Sequence, residues 1–176
     1  MRTFVLAAMT ALAAFPALAQ AAEPTCLTSS EFTALSTYSL PSLIRGTAER
    51  CATVLPASAF LRSDGEKLAQ RYSVRRDSAW PGAKAAFLKI GMAKSPEAAL
   101  IFGKMSDDSL KPMVDELVAG MVGQQLPADR CKPVDRALML LSPLPAENTA
   151  ELIGLAAGIG ARGGKARVGQ FALCES

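Results

Sequence analysis

The sequence predicts an all-α fold: a single disulfide-stapled domain of about six to eight helices, with a short extended segment at its C-terminal end. Three observations carry that expectation. Apolar residues recur at spacings of three and four along most of the chain, the pattern of helices with one buried face. No alternating apolar–polar run of useful length reads as a strand. Half of the 176 residues are hydrophobic and a fifth are charged, enough to fill one core at a length suited to one domain.

Residues 1–21 read as an export signal, outside that fold. Met1 and Arg2 give a short positive start, and residues 3–15 are apolar and uncharged. Pro16 breaks the run before two small-x-small sites, Ala17-Leu18-Ala19 and Ala19-Gln20-Ala21. The run is too short to span a bilayer. Cleavage after Ala21 leaves a single helical domain over residues 22–176, beginning Ala22-Glu23-Pro24. No cysteine follows the cut, which argues against a lipid anchor, and no later apolar run is long enough for a transmembrane anchor. The expected location is the periplasm or the exterior.

Four cysteines follow the signal: Cys26, Cys51, Cys131 and Cys174. An even set in an oxidising compartment implies two disulfides with three connectivities open. Loop closure is least costly between near neighbours, so Cys26–Cys51 and Cys131–Cys174 are the expected bonds. The chain has no Cys-x-x-Cys, which argues against a zinc site or a redox enzyme.

The helices follow in order. Thr28-Ser29-Ser30-Glu31 is a capping box that opens a helix burying Phe32, Leu35 and Tyr38. Pro41 falls at an early position of a second helix, where Leu43, Ile44, Thr47, Ala48, Cys51 and Leu55 line one face. Arg45, Glu49 and Arg50 point away from that face. Ser63-Asp64-Gly65-Glu66 is a second capping box, before a helix carrying Leu68 and Tyr72. Pro81 introduces another, with Ala83, Ala86, Phe87 and Ile90 inward and Lys84 and Lys89 more exposed. Ser95 caps a helix with Pro96 at its first position. The most regular stripe is Leu110, Met113, Val114, Leu117, Val118, Met121 and Val122; Cys131, Val134, Ala137, Leu138 and Leu141 repeat it. A last helix over 146–161 is polar only near its start, so it is expected to run through the middle of the fold. The tail 167–174 is the one candidate extended segment, pinned by Cys174.

Chemistry is narrowed mostly by exclusion. With no histidine there is no Ser-His-Asp or Cys-His nucleophile, no imidazole ligand and no histidine pH switch. Gly158-Ile159-Gly160-Ala161-Arg162-Gly163 matches a dinucleotide-binding string. A helix precedes it and none follows, so it reads as a glycine-rich helix end. Asp107-Asp108 belongs to a helix start and Asp115-Glu116 to a solvated face. Met92, Met105, Met113, Met121 and Met139 read as core packing, not as a soft-metal site. No catalytic residue, cofactor site or metal ligand is expected.

Losing residues 1–21 removes one Arg and no acid, so the formal charge falls from +3 to +2. That is too near balance for a nucleic-acid binder. The one charged feature is a basic ridge at helical spacing, Lys67, Arg71 and Arg75 with Arg76 beside them. It is a candidate surface for an anionic head group, a peptidoglycan acid or an acidic partner. The leading expectation is a binding module of a bacterial-type cell envelope, acting on another envelope protein or an amphiphilic small molecule. A histidine-free hydrolase with paired carboxylates and a stress holdase are the alternatives.

Overall fold

Thr28 starts the longest helix of the chain. Its hydroxyl accepts the Glu31 N–H (3.2 Å) and the Glu31 carboxylate accepts the Thr28 N–H (2.8 Å), so the capping box forms as expected. From there the helix does not stop at Pro41. The computed structural model describes residues 26–160, 167–168 and 171–174, and in it α1 runs unbroken over Ser29–Cys51 with a buried Pro41 inside it. The expected two helices are one. Proline removes a backbone donor there, but helices packed on several sides hold the element together.

Around α1 lie α2 (Phe60–Ser63), α3 (Gly65–Ser73), α4 (Arg76–Lys94), α5 (Pro96–Gly103), α6 (Asp107–Gln125), α7 (Cys131–Leu141) and α8 (Ala146–Gly160). A 3-10 turn at Ala128–Arg130 leads into α7. Helices α3, α4, α6 and α8 all pack on α1. The middle of the fold is therefore α1, not the final helix. That helix buries only one side, through Ala146, Thr149 and Ala150, and leaves Leu152 and Leu155 exposed. The reason is size: α1 offers Ser39, Ser42, Gly46 and Thr47 as buried small residues, and these let neighbours approach closely.

Helix α6 lies parallel to α1 at a constant offset of 73 residues. Tyr38 meets Lys111, Ser42 meets Asp115, and Gly46 meets Ala119. A Cβ on Gly46 would come within 3.0 Å of the Ala119 backbone, so the close approach requires glycine. Helix α4 runs the opposite way, with Trp80 on Tyr38, Gly82 on Ala34 and Lys89 on Glu31. It begins at Arg76, five residues before the proline expected to start it, and Lys89 is tucked against Glu31 at 2.9 Å and not left outside.

Three apolar clusters fill the spaces. One joins Leu40, Ile44, Leu61, Leu68 and Tyr72 to the Cys51–Cys131 region. A second gathers Tyr38, Trp80, Ala83, Leu110 and Val114. A third, at the N-terminal end of α1, holds Leu27, Phe32 and Ala86. The expected second capping box is absent. Glu66 instead pairs with Arg45 at 3.0 Å, and Ser63 donates to the Ala59 carbonyl.

The cysteine pairing also differs from expectation. Cys26 bonds to Cys174 and Cys51 to Cys131, and no cysteine is free among the described residues. Cys26–Cys51 is ruled out by the continuity of α1, which separates the two sulfurs by the helix length. The tail is extended as expected: β1 (Arg167–Val168) pairs antiparallel with β2 (Phe171–Ala172), and Leu27 bridges Leu173. The signal read at 1–21 and the glycine string beyond Gly160 lie outside the described residues.

Candidate interaction surface

The four residues of the basic ridge do not make one free face. Lys67 pairs with Asp64 at 2.9 Å, one turn earlier on the chain. Arg71 donates to the Ser142 carbonyl and sits 6.0 Å from the Tyr72 ring, and Arg75 pairs with Glu147 at 2.9 Å. Those two arginines tie the end of α3 to the corner between α7 and α8. Beside them, the Tyr72 hydroxyl meets Thr149 Oγ1 at 2.9 Å, inside the same corner.

Arg76 turns inward instead. Its guanidinium pairs with Asp115, its Nε donates to the Tyr38 carbonyl (3.1 Å), and it lies 4.2 Å from the Tyr38 ring. Ser42 donates to the same carboxylate at 2.9 Å. Asp115 is thus half-buried between α1, α4 and α6, where the sequence suggested a solvated face. Burial pushes the Tyr38 phenol up to about 12, with the positive charge of Arg76 pulling weakly the other way. This seam is structural: each charge in it has a partner, and its groups join three helices.

Five carboxylates behave alike. Hydrogen bonds from Lys67, Arg45, Lys111 and Lys84 hold Asp64, Glu66, Asp77 and Asp107 below the usual carboxylate range. Burial opposes the charge on Glu31, but Lys89 and Thr28 outweigh it and its carboxyl is also lowered. A two-carboxylate hydrolase needs one acid kept protonated, and these five are all held ionised. Asp107 and Asp108 begin α6 as expected, and Glu116 is exposed. Among the described residues no cluster of His, Cys, Asp or Glu could hold a metal ion.

Among the described residues an apolar face is also left uncovered. On α6 the stripe of seven residues spans roughly 180° at 100° per residue. Leu110 and Val114 enter the second cluster, and Met113 and Val118 pack against it. Further along the helix the same stripe loses its cover: Leu117 is 49% exposed and Met121 44%. One turn from Leu117 lies Gly120; a Cβ there would meet nothing within 4 Å. Glycine in a helix interior costs about 1 kcal/mol relative to alanine, and no contact among the described residues accounts for it here.

No family model, curated protein or solved structure matches the chain. The surface therefore has to be read from its own chemistry. Met105 and Met113 serve packing as expected, whereas Met92 and Met121 are exposed. At 100° per residue Leu117 and Met121 fall near the middle of the stripe, so nothing in its pattern set them apart as uncovered.

Proposed function

We propose that this chain is an exported, disulfide-stapled helical interaction protein of a bacterial-type cell envelope, gripping a protein partner through the outer face of α6. The observation that supports the reading is the uncovered pair Leu117 and Met121 with Gly120 beside Leu117. Burying a Leu or Met side chain fully is worth about 1.5–3 kcal/mol; with about half of each still exposed, the two together offer a partner roughly that much. Gly120 leaves room for a partner backbone to come close. A face on the outside of a helix suits a macromolecule better than an amphiphile enclosed between helices.

Export is supported by the charge–apolar–small-residue pattern of residues 1–21 and by two disulfides, which persist in oxidising compartments. Among the described residues no helix is long and apolar enough to cross a membrane. A photo-crosslinking residue placed at 117 or 121 in cells is expected to give one discrete adduct, absent from a control at Glu97. Adding Leu117→Lys to the position-121 probe should abolish that adduct while thermal unfolding shifts by only a few degrees, since the side chain is exposed. No adduct from either position, or the same adduct from Glu97, contradicts the reading.

A further inference from the structure

Helix α5 uses only one side within the fold. Ala99 is buried against Gly91, and the Phe102 ring lies 5.8 Å from that of Phe87, so the inner side of α5 packs on α4. The outer side carries Leu100, 59% exposed, and Ile101, 63% exposed. Glu97 stands one turn before Ile101 and Lys104 one turn after Leu100, both exposed. Lys104 caps the helix with a right-handed helical backbone, so it keeps the register. At 3.6 residues per turn the four side chains fall within an arc of about 100°. Glu97 and Lys104 lie two turns apart, about 10 Å at 1.5 Å per residue, too far to pair with each other. Among the described residues neither forms an ion pair.

This order of side chains is self-complementary. Turned end for end about a two-fold axis between Leu100 and Ile101, a second α5 sets its Lys104 opposite Glu97, its Glu97 opposite Lys104, and its Ile101 opposite Leu100. We propose that the outer face of α5 pairs with α5 of a second copy of this chain, antiparallel and two-fold symmetric. The apolar centre supplies the attraction, and the two Glu97–Lys104 pairs at its rim fix register and direction. A parallel pair would set Glu97 beside Glu97 and Lys104 beside Lys104. The outer face of α6 lacks this property: residues 112–125 include no Lys or Arg, so two copies of it offer Glu116 no opposite charge. Two turns of helix a side bury much less than the roughly 800 Å² per partner of a standard interface. The dimer is therefore transient, with a Kd on the order of 0.1 mM. The contact is separate from the outer face of α6, and either can fail alone.

Sedimentation equilibrium of the folded, oxidised protein from about 0.01 to 1 mM, a range that brackets such a Kd, tests the pairing. Wild type is expected to pass from monomer to dimer, and Leu117→Lys on α6 to do the same. Ile101→Lys is expected to stay monomeric with unchanged helical circular dichroism, since the side chain is exposed. Glu97→Lys alone, or Lys104→Glu alone, sets like charges together at both ends and weakens the dimer at least about tenfold. Mixed in equal amounts, those two variants restore an opposite pair at each end, and dimerisation returns to within about threefold of wild type. A monomer at every concentration, single variants that dimerise as strongly as wild type, or a mixture no better than its parts overturns the proposal. So does loss of the dimer in Leu117→Lys, which places the self-contact on α6. A wild-type monomer whose photo-crosslinking residue at 101 captures a different polypeptide also overturns it, the face then belonging to that partner.

Discussion

At Tyr38 three helices meet on one side chain. Its ring stacks under Arg76 and against Trp80 (4.8 Å), and its hydroxyl lies against the Lys111 carbonyl of α6. Burial favours the neutral phenol, so the folded chain keeps that proton up to about 12 while an unfolded chain releases it near 10. The sign follows from linkage: the stability this group contributes is intact below about pH 10 and is lost as the pH rises through 12, a loss of roughly 2–3 kcal/mol. In a Tyr72→Phe background, where Tyr38 is the sole tyrosine, tyrosinate absorbance is expected to appear only near pH 12 or with unfolding. An ordinary titration near 10 contradicts the buried setting. Tyr38 was legible as an inward residue from its spacing after Phe32. Asp115 was not, because an acid opposite an apolar stripe looks solvated until a parallel neighbour brings Ser42 and Arg76 to it.

Helices show the same division between what pattern reveals and what packing decides. The start of α1 was marked in the sequence by its capping box, and α6 by Asp107-Asp108 at its start and the periodic stripe that follows. The centrality of α1 was not, since Ser-Thr-Tyr-Ser-Leu-Pro-Ser is neither strongly apolar nor a strong helix former. Its small residues matter for what they admit: Gly46 lets the Ala119 backbone approach, and Gly82 on α4 meets Ala34. The two kinds of helical glycine can be told apart by substitution. Gly46→Ala is expected to destabilise by about 1–3 kcal/mol, overpacking outweighing the helix propensity gained. Gly120→Ala, with open space around it, is expected to stabilise by about 0.5–1 kcal/mol. Chemical denaturation of both variants checks the contrast, and equal effects of one sign remove the close α1–α6 approach from the account.

For the whole molecule, the fold class was readable and the connectivity was not, and one misjudged element explains the difference. A helix broken at Pro41 leaves Cys26 and Cys51 free to meet. An unbroken Ser29–Cys51 holds its ends about 33 Å apart at 1.5 Å per residue, against the roughly 7 Å limit between bonded cysteine Cα atoms. Loop length was a poor guide because doubling a loop costs only about 0.6 kcal/mol. The observed bonds close separations of 148 and 80 residues, each worth on the order of 4–5 kcal/mol by chain entropy taken singly. They join the segment before α1 to the C-terminal tail and fasten α1 to α7, so that a helix poor in large apolar residues stays at the centre. Disulfide mapping of the unreduced, folded protein by proteolysis and mass spectrometry tests this most directly. Linked peptides carrying Cys26 with Cys174 and Cys51 with Cys131 are the expected result; a peptide linking Cys26 to Cys51 contradicts a continuous α1 and the architecture built around it.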